Sequence, residues 1–286
     1  MPTLLIITQV YPPDPAAVGQ HFADVAERMV RRGWRVVVYT SRRGYDDPAE
    51  RYPWRESRRG VDVRRLPLSS FGKSSILVRL LAQTLFLGQA VIRALCVSRP
   101  AALLVSTSPP FAGFGGSLVS RVRRIPMLWW VMDVNPDQMI AAGRISPASL
   151  FARVFDWMNL QTLRRSAAVI VLDRFMRDRI LAKADVSSKM RVIPPWSHDT
   201  VRENIPHDQN PFRSRHGFAD RFIVMYSGNH GYGTSFETLL GAAARLAEEP
   251  RIRFVFVGGG VGKRQIEEYI AGESSSNVVS LPYQPL

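Results

Sequence analysis

Short runs of β-branched and leucine residues alternate, from the first residues onward, with segments in which apolar positions recur every three or four residues. Continuous apolar runs bounded by turn residues predict strands buried on both faces, and their alternation with helical patterns predicts βαβ units on a mostly parallel sheet. Strands are expected at 4–8, 35–40, 61–66, 102–106, 127–132, 168–172 and 190–193. Phe22, Val25, Ala26, Met29 and Val30 share one helical face between the first two. Arg32-Gly33 closes that helix, glycine being the favoured residue just past a helix C-terminus. Phe151, Val154, Phe155, Met158 and Thr162 repeat the pattern, as do Phe175, Met176, Ile180 and Leu181. A mostly apolar helix is expected over 76–97, but Arg79, Gln83, Gln89 and Arg93 interrupt it, which argues against a membrane span.

After residue 193 the texture changes. Pro194-Pro195-Trp196 leads into polar sequence punctuated by Pro206 and Pro211, with no sustained periodicity. A domain over 1–196, a linker over 197–221 and a second domain over 222–286 follow from this. The second series has strands at 222–227, 253–257 and 277–281, and a helix carrying Phe236, Leu239, Leu240, Ala243 and Leu246 on one face. A free-standing doubly wound domain uses about five or six strands. The second domain is therefore expected to be incomplete, truncated at its C-terminal side with an open sheet edge.

With 46% hydrophobic and 22% charged residues, the chain has the composition of a globular protein, which excludes fibrous and low-complexity classes. The single cysteine, Cys96, excludes an intramolecular disulfide framework and a cysteine-based zinc cluster, and fits a reducing compartment. Met1-Pro2 passes straight into Leu4-Leu5-Ile6-Ile7, which reads as the first buried strand of a cytoplasmic protein. The 38 basic and 24 acidic residues leave a net charge of +14, and the excess, being arginine, points either to an anionic partner or to genomic base composition. From Leu66 to Met132 there is no acidic residue, while Lys73, Arg79, Arg93, Arg99, Arg121, Arg123 and Arg124 supply +7, half of the net charge.

Four segments offer chemistry. Pro12 to Gly19 joins the first strand to the first helix, where helix N-termini favour anions and Gly19 permits close backbone approach, although the Gly-x-Gly-x-x-Gly fingerprint is absent. His21 lies just inside that helix, facing a cleft or solvent. Met132-Asp133-Val134-Asn135-Pro136-Asp137 ends an apolar strand in carboxylates, where one could orient or deprotonate a hydroxyl or merely cap a turn. Ser227-Gly228-Asn229-His230-Gly231-Tyr232-Gly233 and Gly258-Gly259-Gly260-Val261-Gly262-Lys263 are glycine-rich strand-to-helix turns of the kind that cradle phosphate, though neither is a P-loop. The five histidines show no metal-ligand spacing, and no nucleic-acid-binding motif is present.

In order and spacing these segments resemble family-four, GT-B-type retaining glycosyltransferases, particularly the bacterial branch that builds cell-surface polysaccharides. The similarity rests on Gln9-Val10-Tyr11-Pro12-Pro13 to Gly19, Arg32-Gly33-Trp34 to Val38, Asp133 to Pro136, Pro194 to Asp199, Tyr226 to Asn229, and Phe256 to Gly260. It implies two Rossmann-like doubly wound domains facing a cleft, the second one incomplete here. The first would bind the acceptor and the second a nucleotide-sugar donor. Asp133 and His21 are then the expected catalytic residues, Asn135 and Asp137 the acceptor-side ones. Gly19, Ser227, Gly228, Asn229, His230 and Lys263 would bind the donor diphosphate. Neither metal nor cofactor is implied, the nucleotide-sugar being a substrate.

Two departures stand out: Lys263 is the sole obvious cation for the diphosphate, and the family's donor-binding glutamate pair would lie beyond Leu286. Activity of this chain alone is therefore not expected. The acid-free region gains a purpose from the resemblance, as peripheral contact with an anionic membrane through Arg79, Arg93, Arg121, Arg123 and Arg124, on the inner face of the cell membrane near a lipid-linked or glycan acceptor. Two alternatives stay open: a GT-B-type nucleotide-sugar epimerase, and a non-catalytic membrane- or partner-binding remnant lacking the donor site.

Overall fold

The computed structural model describes the whole chain except residues 15, 45–48, 70–75, 197–204, 219, 232–233, 273–276 and 285–286, with backbone only at 76, 77 and 79. It divides into two compact units, Met1–His198 and Asp199–Leu286. In the first, the chain runs β1 (Thr3–Ile7), α1 (Ala17–Arg31), β2 (Arg35–Ser41), β3 (Arg55–Arg58), β4 (Val61–Leu66), α2 (Ile76–Leu95), β5 (Pro100–Val105) and α3 (Ala112–Arg123). It continues through β6 (Met127–Trp130), α4 (Asp137–Ala141), α5 (Leu150–Arg165), β7 (Ala168–Val171), α6 (Arg174–Leu181) and β8 (Met190–Val192).

The sheet order is β3-β4-β2-β1-β5-β6-β7-β8. Every neighbouring pair is parallel except β3 with β4. Chain order reverses between β1 and β5, the switch point outside which open α/β sheets bind ligands. Leu5, Ile7, Val37, Leu103, Val105 and Trp129 bury one face of the sheet against α2, α3, α5 and α6. Leu4, Ile6, Val36, Val38, Leu104 and Trp130 bury the other against Phe22 and Ala26 of α1. All five residues of β1 are buried, which explains why its sequence is a continuous apolar run rather than an alternating one.

Strand β3, helix α3 and the short helix α4 of this unit have no counterpart in the expected series. Strand β3 is the polar run Arg55-Glu56-Ser57-Arg58 at the sheet edge, where no apolar pattern is needed. Its Arg55 donates to Asp62 at 2.8 Å and Arg64 donates to the same carboxylate at 2.7 Å. Burial raises the affinity of Asp62 for a proton, yet the two guanidinium groups outweigh it and hold the carboxyl below its ordinary range. Helix α3 carries Gly113, Gly115 and Gly116, which read locally as a turn. Their role is spacing. A Cβ at Gly113 would stand 2.7 Å from Thr162 and 2.9 Å from the Trp129 ring nitrogen, and one at Gly116 would stand 2.7 Å from Val105.

The second unit comprises α7 (Pro211–Arg215), β9 (Phe222–Asn229), α8 (Glu237–Arg245), β10 (Ile252–Gly259), α9 (Lys263–Ala271) and β11 (Val278–Leu281). Its parallel sheet has the order β11-β10-β9. Phe236, Leu240, Ala243 and Ile266 cover one face. Part of the expected linker 197–221 instead joins this unit's core: Asn210 caps α7, and Phe212 and Phe218 pack on Val255 and Val257. The expected boundary segment Ser197-His198-Asp199 lies outside the described residues.

Substituting Gly113→Val is expected to lower unfolding free energy by about 1–3 kcal/mol through overpacking against Trp129 and Thr162, read as a lower urea midpoint. An unchanged midpoint would show that α3 can lift from the sheet without loss.

Candidate functional site

At the switch point the strand ends are tied together through buried polar groups. The Gln9 N–H donates to the Ser108 carbonyl at 2.7 Å, and the Ser106 and Thr8 hydroxyls lie 3.2 Å apart. In the β1–α1 loop the Ala16 N–H donates to Asp14 Oδ1 at 3.1 Å, and the Gly19 N–H donates to the Ala16 carbonyl at 2.9 Å. A Cβ on Gly19 would lie 3.0 Å from the Tyr11 backbone. The close approach that Gly19 permits is thus to its own loop, and its N–H is engaged there, which removes the basis for assigning it to a diphosphate.

A residue without any sequence signal holds this loop from beneath. Arg65, 2% exposed, donates to the Pro12 carbonyl at 2.8 Å, pairs with Glu56 at 2.7 Å and lies over the Tyr52 ring. His21 is buried rather than solvated, edge-on to Trp196 at 4.8 Å, and Trp196 stacks on Trp130. The Trp196 ring N–H donates to Asp24 at 2.7 Å, which fastens the segment after β8 onto α1.

The loop after β6 is ordered by Thr107, whose hydroxyl accepts the N–H groups of Met132 at 3.1 Å and Asp133 at 3.2 Å. Asp133 is half-buried, and burial pushes its carboxyl above the ordinary range, offset only by a long bond from Gln138 at 3.4 Å. A carboxyl in that state is suited to accepting or sharing a proton. Asn135 offers its carbonyl to the Asn159 side chain at 2.5 Å. Asp133, Asn135, Thr107, Asn159 and Lys183 border one cavity of about 20 Å³, which has room for a water but not for a sugar.

Asp137 behaves differently from the open acceptor-side carboxylate expected of it. Burial works to raise its proton affinity, but Lys183 and Arg179 both bond to it and hold the carboxyl below its ordinary range. Lys183 also pairs with Asp156 at 2.6 Å. The cluster joins α4, α5 and the end of α6, so Asp137 is occupied in holding helices.

In the second unit the two glycine-rich turns lie on each other. Register pairs Gly228 with Gly258 and Asn229 with Gly259. Gly258 and Gly260 have φ of 139° and 133°, and their Cβ atoms would meet the Gly228 carbonyl oxygen at 2.0 Å and the His230 carbonyl oxygen at 2.6 Å. No other residue fits. Ser227 and Asn229 are exposed at the end of β9, and Lys263 opens α9 with its ammonium 3.7 Å from Glu267. His230 is fully buried between Tyr226 and Phe236, and neither ring nitrogen has a hydrogen-bonding partner among the described residues. Burial, then the charge of Lys263, depress its proton affinity and keep it neutral. Tyr232 and Gly233 lie outside the described residues.

Of the expected basic surface, Arg93, Arg121 and Arg124 are exposed. Arg123 is not part of it: its guanidinium donates to the carbonyls of Leu95 at 3.1 Å and Val97 at 2.8 Å, closing the end of α2. Lys73 and the Arg79 side chain lie outside the described residues.

The model of the glycosyl transferase 4-like domain matches residues 16–196, from the start of α1 to the tryptophan fastened on it. The chain belongs to this glycosyltransferase family. It is 24% identical to WcaI of Escherichia coli K12, whose name describes a glycosyl transferase of colanic acid biosynthesis, over 96% of this chain and 70% of that one. Among solved structures, HepE of Anabaena in complex with UDP superposes with a TM-score of 0.67 at 15% identity, covering 99% of this chain and 70% of HepE. A UDP-N-acetylglucosamine 2-epimerase superposes at 0.58 and 12% identity, covering 99% and 69%. The fold is that of GT-B glycosyltransferases, as the resemblance implied. No helix among the described residues is long and apolar enough to cross a membrane.

Replacing Lys183→Met is expected to destabilise the first unit by about 1.5–3 kcal/mol at neutral pH by removing charge-assisted bonds to Asp137 and Asp156. Because the folded state depresses the proton affinity of Asp137, that stabilisation is present above the unfolded carboxyl value of about 3.9 and is lost as pH falls below it. Thermal melts of the two proteins should converge at acid pH, and a constant gap would show that packing rather than charge sets the difference.

Proposed function

We propose that this protein is a retaining glycosyltransferase, moving a sugar from a nucleotide-sugar donor to a lipid-linked or glycan acceptor in cell-surface polysaccharide synthesis. The observation that carries the reading is the family match over residues 16–196, which spans the loop where Asp133 stands at the C-terminal end of β6. Asp133 then orients or deprotonates the acceptor hydroxyl, its burial-raised proton affinity matching that task. In the second unit, Ser227, Gly228 and Asn229 end β9 beside the turn that Lys263 terminates. Those groups take the donor diphosphate, whose developing charge is the main electrostatic demand of a reaction that needs no protein nucleophile. HepE was crystallised with UDP, which supports a uridine nucleotide as the first ligand to try. Location in the cytoplasm follows from the same reading.

A nucleotide-sugar epimerase is the second reading, supported by the superposition on UDP-N-acetylglucosamine 2-epimerase. It predicts turnover of free nucleotide-sugar without any acceptor, whereas transfer requires one. The anomeric configuration of the product, read by NMR, tests retention.

Isothermal titration of the folded chain with UDP and GDP should show binding of one of them, weakened about 10- to 100-fold by Lys263→Ala through loss of a charge-assisted contact. Asp133→Asn should leave that affinity in place and, in a form of the protein that shows transfer, lower it about 10²- to 10⁴-fold. Absence of nucleotide binding by a folded chain would overturn the donor assignment and favour a non-catalytic protein.

A further inference from the structure

We infer, on the reading that the glycine turns of the second unit take the donor diphosphate, that His230 is the positioning residue of those turns, a latch that joins them only while its imidazole is neutral. The backbone of His230 already spans them. Its N–H donates to the Gly259 carbonyl at 2.8 Å, and its carbonyl accepts the Gly262 N–H at 2.8 Å. The residue that follows β9 therefore holds the turn from β10 to α9 at both of its ends. Gly260 lies between the two bonds, where a Cβ would stand 2.6 Å from the His230 carbonyl oxygen. Moving His230 releases the segment that carries Lys263.

The side chain is fully buried, with the Tyr226 ring centroid at 5.5 Å and that of Phe236 at 5.1 Å, and a Cβ on Gly258 would lie 3.5 Å from its Nε2. Neither ring nitrogen has a hydrogen-bonding partner among the described residues. A buried N–H without an acceptor costs stability, and an apolar ring would fill the same place without that cost. What histidine adds is a charge that can be switched near neutral pH. Protonated, the ring holds two N–H donors and a positive charge with no acceptor, which favours an open turn. The neighbours oppose that charge. Tyr226 of β9 has its hydroxyl engaged on the Asn229 carbonyl at 2.9 Å, the β10 turn is glycine, and Glu237 at the start of α8 is exposed. Helix α9 brings the Lys263 ammonium, 3.7 Å from Glu267. Burial, then Lys263, lower the proton affinity of the ring, and no carboxylate counters them among the described residues. Because the folded state depresses that affinity, the latch is complete above the free-histidine value of about 6.5 and loosens as pH falls below it.

The test is calorimetric titration of the 286-residue chain with UDP and with GDP at about pH 7.5 and about pH 5.5, on either side of the free-histidine value. His230→Leu and His230→Gln, which cannot be protonated, are titrated beside it. Protonation of the nucleotide itself is common to all of them, so the ratio of affinities at the two pH values is compared within each protein. The unsubstituted chain should lose about three- to tenfold more affinity on acidification than either variant, since each pH unit below the histidine value multiplies the open-to-closed ratio by up to about ten. Circular dichroism melts establish that the proteins are folded, and glutamine serves where leucine does not fold. If neither nucleotide binds at either pH, the donor reading falls, and the latch is decided by NMR without nucleotide. The Gly262 amide resonance should then move together with the titrating His230 imidazole, and should stay in place in the variants. Equal affinity ratios in the unsubstituted chain and the variants would overturn the latch, as would an imidazole that stays neutral down to about pH 5 or titrates without moving Gly262. Tighter binding by the unsubstituted chain at acid pH would also overturn it, making His230 a direct ligand of the phosphate.

Discussion

At the C-terminal edges of both sheets, backbone lies against backbone with no space for a Cβ atom. Gly19 is pressed against Tyr11 in the first unit, and Gly258 and Gly260 against the carbonyls of Gly228 and His230 in the second. Each of these turns carries the chain from a parallel strand into its helix, and a parallel sheet requires every such turn to reverse over the strand ends. Ser227, Asn229 and Lys263, to which chemistry is assigned in the second unit, hang from those turns, so glycine packing sets where they stand.

The two units solve the remaining problem differently. In the first, the loops are held by charged and polar groups withdrawn from solvent: Arg65 beneath the β1–α1 loop, Thr107 beneath the loop after β6, and Lys183 joining two carboxylates. Among the described residues the Asp133 carboxyl keeps one long bond, from Gln138, and burial raises its proton affinity. In the second unit the turns are held by packing, with Phe236 against His230 and Gly262. There the charge of Lys263 is only loosely engaged by Glu267. Among the described residues Asp133 and Lys263 are thus less engaged than Asp137 and Lys183.

The outer helical layer follows from the same core. Helix α3 can lie close to the sheet only because Gly113 and Gly116 accept Trp129 and Val105 in place of a side chain. On its other side α3 meets α5 through Phe114 and Trp157, whose rings lie 5.6 Å apart.

The alternation of apolar runs and helical periodicities was enough to locate the parallel strands; the central ones, β1 and β2, are buried on both faces and so need a continuous apolar run. The polar edge strand β3, the glycine-rich α3 and the packing of Phe212 and Phe218 onto the second sheet were not legible. Each depends on a partner that a local apolar pattern does not name: Asp62 for β3, the Trp129 ring for α3, Val255 for Phe218. Among the site residues, the order of Asp133, the two glycine turns and Lys263 was readable because each follows a strand. Whether a carboxylate there is open or paired was not, since Asp137 and Asp133 look alike in a local window. Only the fold brings Lys183, 46 residues away, onto Asp137 and leaves Asp133 without a cation among the described residues. Residue type and periodicity determine which segments are strand, helix or turn. Tertiary structure alone decides which polar groups neutralise one another, because that pairing rests on distances that chain order does not encode.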